Sequence, residues 1–259
     1  MQREEREPKG KRTEERGDSD LIVGRNAVHE ALRSDRTLDT ILVARGERVG
    51  SIGALIAKSR ERGIPVKEVD QRKLDAMCGP HHQGIAAVAA CKDYASLEDV
   101  FQLAEERGEP PFLVVCDELE DPHNLGAILR TADAAGVHGV IIPKRRSAGL
   151  TSTVYKTSAG AVEYVPVVRV ANIAETLREL KRRNVWIYGL DMDGRPFHEV
   201  DMRGAAALVV GSEGRGIGRL VREQCDVVVS LPMRGHIQSL NASVACGILM
   251  YEAARQRGE

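Results

Sequence analysis

The sequence predicts an α/β protein in two parts, a small N-terminal α/β sandwich followed by a larger unit built on a mostly parallel sheet. Three observations carry this prediction. Beyond Pro111, apolar runs of four to seven residues (FLVVC, GVIIP, VPVVRV, VWIYGLD, AALVVG, DVVVSLP) alternate with helical stretches, as strands covered on both faces by crossover helices do. A shorter alternation of the same kind occupies Leu21 to Asp93. Between them, Tyr94 to Pro110 carries five acidic residues against one basic residue and runs into Pro110 and Pro111, a compositional shift that marks a boundary.

In chain order, Met1 to Asp20 holds six basic and seven acidic residues with almost nothing apolar. Such a segment cannot bury enough surface to offset the entropy of ordering, and a disordered, solvated tail over 1–20 is expected. In 21–93 the periodicity predicts a helix starting near Gly24 to Asn26, a strand at 41–45, a helix over 52–62, a strand at 64–69, a short helix at 72–77 and a strand at 84–90. This part has 12 basic and 9 acidic residues, a mild positive excess. Its GPHHQGI stretch (79–85) is a loop fixed by Gly79, Pro80 and Gly84. Adjacent histidines point in different directions and need distant partners to hold a metal. His81, His82 and Gln83 therefore read either as loop donors facing a polar partner or as an ordinary surface loop. Residues 94–110 form an acidic linker with a helix around Leu97 to Arg107, which connects rather than lies along nucleic acid. In 111–259, helices are predicted over 125–135, near 154–158, over 173–183, briefly at 217–223, and finally after Asn241.

Composition excludes several classes. With 37 Lys plus Arg against 38 Asp plus Glu, no overall positive field announces a nucleic-acid partner, although a local patch suffices for one. The five cysteines (78, 91, 116, 225 and 246) are scattered without a C-x-x-C pair, which fits reduced thiols better than a disulfide framework or a zinc site. No apolar run reaches the length of a membrane span and the N-terminus lacks a signal-peptide core, so a cytoplasmic protein is expected.

Ligands of parallel sheets bind beyond the carboxyl ends of the strands, and three loops there are unusual. In DPHNLGAILRTADAAGV (121–137), Asn124 suits a helix N-cap, Gly126 permits close backbone approach, and Arg130 lies one turn beyond Gly126 among aliphatic neighbours. In VVGSEGRGIG (209–218) a strand runs into a glycine-rich turn, but glycines 211, 214, 216 and 218 satisfy no register of G-x-G-x-x-G, and Ile217 stands where a P-loop has Lys. Such a turn can still accept an adenosine through its backbone, with Glu213 supplying a carboxylate. In LPMRGHIQSLNASVACGILMYE (231–252), Pro232 and Gly235 shape a turn, and Ser239 and Asn241 stand where a helix begins. Alone, this third stretch is as readily a capped, buried helix as a site.

Together, Asn124-x-Gly126-x-x-x-Arg130, Gly211-Ser-Glu213-Gly-x-Gly216 and Leu231-Pro-Met…Ser239-Leu240-Asn241-x-Ser243 match, in order and spacing, the three motifs of the SpoU (TrmH) family of RNA ribose 2'-O-methyltransferases. KTSAGAVEYVPVVRVANI (156–173) and the HQGI stretch resemble the subgroup that includes RlmB, the 23S rRNA guanosine 2'-O-methyltransferase. The resemblance implies an α/β SPOUT methyltransferase domain over 111–259 with a deep trefoil knot, a feature too rare for any pattern argument to propose. It implies an RNA-binding domain over 21–93 resembling small ribosomal proteins. It also implies S-adenosylmethionine as methyl donor, held by backbone groups at Gly211, Leu231 and Leu240. The expected partners are RNA, 23S rRNA first, and a second copy of the chain through the catalytic domain, with neither DNA nor a membrane among them.

By the same resemblance Arg130 is the central catalytic residue, and Asn124, Glu213, Ser239 and Asn241 arrange substrate and loops. A ribose hydroxyl is a poor nucleophile, so transfer needs its oxygen held in line and its proton withdrawn or shared. No metal is required, because a sulfonium already activates the methyl carbon. A guanidinium is protonated at any ordinary pH, which makes phosphate holding or alkoxide stabilisation an easier role for Arg130 than that of a base. The basic loop Lys144, Arg145, Arg146 is a candidate for backbone phosphates, or a solvated turn. Two other readings remain: a tRNA methyltransferase, and an RNA-binding ribosome-assembly protein that kept the fold without the chemistry. A nucleotide-dependent oxidoreductase fails on glycine spacing.

Overall fold

The computed structural model describes residues 20–34, 36–46, 50–212, 214–237 and 239–258. The charged tail expected over 1–20, apart from Asp20, lies outside the described residues, as does Glu213.

The N-terminal part contains β1 (Leu21–Val23), α1 (Arg25–Ala31), β2 (Leu38–Ala44), α2 (Ser51–Glu61), β3 (Val66–Val69), α3 (Gln71–Cys78) and β4 (Ile85–Ala89). The sheet order is β1-β4-β2-β3, antiparallel except for the β2–β3 pair. Alternation along β2 sends Ile41 and Val43 toward Val28, Leu32, Ile52 and Leu55 of the first two helices, and Leu42 and Ala44 toward Leu74 of α3. In the 79–85 loop the two histidines part company. His81 is exposed, but His82 is buried, its Nδ1 accepting from the Gly84 N–H (2.9 Å) while Nε2 lies 2.8 Å from Asp75 Oδ1. With Nδ1 an acceptor, the proton of the neutral ring belongs on Nε2, facing the carboxylate. His82 is thus a structural residue and not a donor facing a partner. Gln83, at φ 52°, instead holds Arg25, whose main-chain N–H donates to Gln83 Oε1 (3.1 Å) and whose Nε donates to the Gln83 carbonyl (3.0 Å).

The remainder contains α4 (Leu97–Arg107), β5 (Phe112–Cys116), α5 (Pro122–Ala134), β6 (Gly139–Pro143), α6 (Ser152–Thr157), β7 (Val167–Val170), α7 (Ile173–Arg182), β8 (Trp186–Pro196), β9 (Ala206–Val210), α8 (Arg219–Arg222), β10 (Val227–Ser230) and α9 (Ala242–Arg257). Six strands, all parallel to their neighbours, run in the order β10-β8-β9-β5-β6-β7. Along β5, Phe112, Val114 and Cys116 face the core shared with α5, α6 and α9, while Leu113 and Val115 face the core shared with α4 and α7. Burial on both faces explains why these strands read as unbroken apolar runs.

The segment expected to be only a linker is built into this second part. Ser96 and Asp99 form a capping box at the start of α4, and Leu97, Val100 and Ala104 are buried. A Cβ built on Gly139 would lie 2.6 Å from a Val100 methyl, so α4 sits hard against the sheet. The acidic residues that suggested a linker form its solvent face.

The two parts are joined by a buried polar network. Asp39 of β2 accepts from the Tyr94 hydroxyl and from Arg169 Nη1 (3.1 Å), Arg169 Nη2 donates to the Asp39 carbonyl (2.6 Å), and the Leu150 N–H donates to the Tyr94 hydroxyl (3.0 Å). Burial raises the Asp39 carboxyl above its ordinary range, opposed by the Tyr94 hydroxyl and the Arg169 guanidinium. Nothing in the spacing of these residues announced the network. It brings the end of α2 beside the loop after β6, where a Cβ on Gly63 would lie 3.3 Å from Lys144 Nζ. Among the described residues, no helix is long and apolar enough to cross a membrane.

Candidate active site

The strand order places the site. From β5 the chain crosses to β6 on one side, with α5 on one face; from β9 it crosses to β10 on the other side, with α8 on the opposite face. A crevice therefore opens where the ends of β5 and β9, paired at Cys116 and Val210, diverge. The loops 117–124 and 211–218 leave from either side of it.

The first loop enters α5 through Asp121, whose carboxylate accepts from the His123 N–H (2.9 Å), with Pro122 in the first turn. Asp121, not Asn124, is the N-cap. Asn124 is the third residue of the helix, buried to 4% exposure, where its Oδ1 accepts from Asn241 Nδ2 (2.9 Å). Asn241 in turn caps α9, its Oδ1 accepting from the N–H groups of Ser243 (3.0 Å) and Val244 (3.3 Å) and from the Ser243 hydroxyl (2.6 Å). Because the cap requires Oδ1 toward α9, the amide nitrogen must face Asn124. One side chain thus ends the C-terminal loop and ties it to α5. Gly126 permits close approach, but of protein: a Cβ there would lie 1.9 Å from Thr157 Oγ1 of α6.

The second loop doubles back on itself. A Cβ on Gly211 would lie 2.0 Å from the Gly216 carbonyl carbon and 2.3 Å from the Ile217 nitrogen, and the Gly216 N–H donates to the Ser212 carbonyl (2.9 Å). Asp117, the residue after β5, accepts from the Gly218 N–H (2.8 Å) and so pins the glycine turn to the neighbouring strand. Burial raises the Asp117 carboxyl from its usual range, and the Gly218 N–H pulls it back. The sequence reading missed Asp117; a carboxylate directly after a buried parallel strand was the signal.

A cavity of about 350 Å³ occupies the crevice, lined by Glu118, Asp121, Asn124, Arg146, Ser212 and Arg215 among others. Of the other expected site residues, Leu231 is half-buried after β10, while Ser239 and Leu240 are exposed just before α9. Arg130 does not line the cavity. It is exposed on α5, about 9 Å along the axis from Asn124 by helical rise. Its neighbour Thr131 lies 3.6 Å from a Cβ built on Gly247 of α9, so Arg130 borders the seam between the two helices. Cysteine nucleophiles are excluded nearby: Cys116 and Cys246 are buried, and burial pushes the Cys246 thiol up to about 12.

Replacing Asn241 by Ala removes both the cap and the bond to Asn124, and is expected to cost about 2–3 kcal/mol. Asn241→Asp keeps the cap oxygens without the donor to Asn124 and should fall between wild type and Ala in urea unfolding. An Asp variant as stable as wild type would mean that the Asn124 bond contributes nothing.

Comparison with known proteins identifies the family. Residues 111–251 match the SpoU rRNA Methylase family, and residues 21–95 match the RNA 2'-O ribose methyltransferase substrate binding domain. YacO of Bacillus subtilis (strain 168), assigned to the TrmH family of tRNA/rRNA methyltransferases, is 50% identical over 239 residues, 92% of this chain and 96% of the relative. The SpoU methyltransferase AviRb from Streptomyces viridochromogenes, solved with AdoMet, superposes with a TM-score of 0.58 at 26% identity, covering 92% of this chain and 90% of that one. An RNA 2'-O ribose methyltransferase structure superposes with a TM-score of 0.53 at 27% identity over 92% of this chain and 89% of that one. With its catalytic and substrate-binding parts both matched, the chain belongs to the SpoU/TrmH family of RNA methyltransferases.

Proposed function

We propose that this protein transfers the methyl group of S-adenosylmethionine to a ribose 2'-hydroxyl in RNA, a guanosine of 23S rRNA being the first candidate, in the cytoplasm. The observation that carries the reading is the meeting of three sequence-distant loops at the β5–β9 crevice, through the Asn124–Asn241 and Asp117–Gly218 bonds. The residues present suit the cofactor. Gly211 has no side chain to obstruct its turn, and Leu231 to Ile237 runs as irregular backbone, leaving main-chain groups outside any helix or strand for an adenine edge. Gly211, Leu231 and Leu240 are the positions that would hold it, and it would supply an electrophilic methyl on a sulfonium. Arg130 then stabilises the developing alkoxide or holds the adjacent phosphate, Asn124 and Asn241 fix the loops relative to each other, and Ser239 and Glu213 orient the substrate.

The knot belongs to this reading too. β10 lies at the sheet edge beyond β8, yet α9 packs on α5, so the chain between them returns across the ends of β8 and β9. Threading of that return segment through the loop before it is the SPOUT arrangement. In the N-terminal part, a cleft of about 770 Å³ between α1 and α2 is lined by Arg25, Asn26, His29, Ser51, Lys58 and Gln83, and its cations and amides suit an RNA strand.

A second copy completes the site. Helix α9 is apolar on both sides: Cys246, Leu249, Met250 and Ala253 face its own core, while Val244, Ile248 and Tyr251 are 50%, 38% and 55% exposed. Those exposed residues flank Gly247, which meets Thr131 next to Arg130 in the chain, so a homodimer through α9 would cover this seam. Val244→Arg is expected to yield a monomer by light scattering and to lose transfer; a stable dimer would refute this interface.

The direct test incubates the protein with labelled S-adenosylmethionine and total RNA from cells lacking it, then maps the label by nuclease digestion and mass spectrometry. A 2'-O-methylguanosine in 23S rRNA is the expected product. Label in tRNA would favour the second reading, which the tRNA/rRNA designation of the Bacillus relative supports. No label in any RNA would leave a silent RNA-binding protein.

A further inference from the structure

Two residues at the mouth of the crevice have unusual backbones. Glu118 (φ 55°), two residues past β5, and Arg146 (φ 54°), in the loop after β6, both adopt the left-handed conformation that residues with a Cβ adopt uncommonly. Their loops leave adjacent parallel strands and are tied together by the Ala148 N–H donating to the Leu119 carbonyl (2.8 Å). As a result Arg146 Nη2 lies 2.8 Å from Glu118 Oε1, and both line the cavity that holds Asn124 and Ser212. The arginine side chain is 70% exposed and the carboxylate 29%. A pair this accessible contributes too little to hold two strained loops in place. The backbone imposes the geometry, and the ion pair is its consequence.

The surroundings indicate what the arginine is for. The cavity also carries Glu120, Asp121 and Arg215, so an entering phosphodiester meets three carboxylates, and its approach depends on the two guanidiniums. Lys144, at the base of the same loop, reaches the end of α2, the helix that supplies Lys58 to the N-terminal cleft. The loop that carries Arg146 therefore also meets the N-terminal part, beside α2. A guanidinium fork donates to phosphate oxygens as readily as to a carboxylate, and the exchange needs no backbone movement.

We propose that Arg146 is the phosphate ligand for the RNA strand entering the crevice, and that Glu118 is its resident counter-ion, displaced when a phosphodiester arrives. The inference rests on the RNA-modifying reading and adds a selectivity to it. A free nucleoside lacks the phosphate that makes the exchange, so the crevice favours ribose within a polymer.

The test measures binding of the full-length chain to in vitro transcribed 23S rRNA fragments and to a fluorescein-labelled 12-nucleotide single-stranded RNA, at about 50 mM salt and upward. Glu118→Gln frees the arginine and should tighten binding about two- to fivefold. Arg146→Gln should weaken it about tenfold and make the log–log salt dependence shallower by about 0.7–0.9. Arg146→Lys should keep the salt slope while losing part of the affinity. The decisive arm is Glu118→Gln in the Arg146→Gln background: with no guanidinium to release, the gain should vanish. An equal gain in both backgrounds would show only general charge repulsion by Glu118, and would overturn the proposal, as would weaker binding by Glu118→Gln. Urea midpoints close to wild type establish that each variant is folded. Normal coupling without methyl transfer would refute the enzymatic reading and leave the exchange standing, whereas transfer without coupling would do the reverse.

Discussion

Arg130→Ala is expected to lower methyl transfer to RNA by about 10²–10³-fold or more, the scale of losing one preorganised stabiliser of developing negative charge, while leaving S-adenosylmethionine binding close to wild type. Arg130 is exposed on α5 between buried Leu129 and the half-buried Thr131, so truncation opens no cavity and should move stability by no more than about 0.5 kcal/mol. The loss would therefore be chemical. Arg130→Lys separates the two roles open to the residue. A lysine retains the charge that stabilises an alkoxide and loses the planar fork that grips a phosphate. Partial activity in the Lys variant points to the alkoxide; the same loss as Ala points to the fork. Isothermal titration with the cofactor and single-turnover transfer are the measurements, and near-normal turnover by the Ala variant would remove Arg130 from the catalytic role.

Gly211→Ala should act in the opposite way, through the cofactor. Its Cβ would sit 2.0–2.3 Å from main-chain atoms of Gly216 and Ile217, and no flexible side chain is there to yield. Either the glycine turn moves away from Asp117 or the end of β9 shifts; a displacement near 1 Å at a reacting site costs about 100-fold in rate, and the overpacking costs about 1–3 kcal/mol of stability. Cofactor affinity and the urea midpoint should therefore fall together. Gly204→Ala is the control, because a Cβ at Gly204 meets nothing within 4 Å. Equal behaviour of the two variants would mean that the turn adapts and that its close packing is not what shapes the pocket.

Much of the scaffold was legible because burial writes itself into composition. Strands covered on both faces must be apolar throughout, and FLVVC and AALVV are, so the central strands of the sheet stood out at once. Helix α4 was harder. Its acidic residues suggested a linker, and only packing shows that Val100 seats against Gly139 while the charges face solvent. Helix entry was legible to within a few residues: the sequence pointed to Asn124 as the cap of α5, and the cap is Asp121, three residues earlier. Pro122 explains the shift, because its fixed φ suits the first helical position and the N–H it lacks would have no intrahelical partner there. The GPHHQGI loop read either as a set of donors or as an ordinary surface loop, yet His82 turned inward to bond Gly84 and Asp75, an outcome set by tertiary room and not by residue type.

The C-terminal stretch from Leu231 onward shows where the division lies. The sequence alone determined that a helix begins at Asn241, because an Asx residue before a run of small and aliphatic residues can satisfy the free N–H groups of the first turn whatever surrounds it. It also determined the motif set, and with it the family, since residue identities and spacings are properties of the chain. Only the tertiary structure decided that the Asn241 amide also bonds Asn124, 117 residues away, that Asp117 anchors the glycine turn, and that Glu118 and Arg146 face each other across the crevice. Each of these depends on which strands lie side by side, and strand order in a parallel sheet is set by crossovers whose ends carry no record of one another in local sequence.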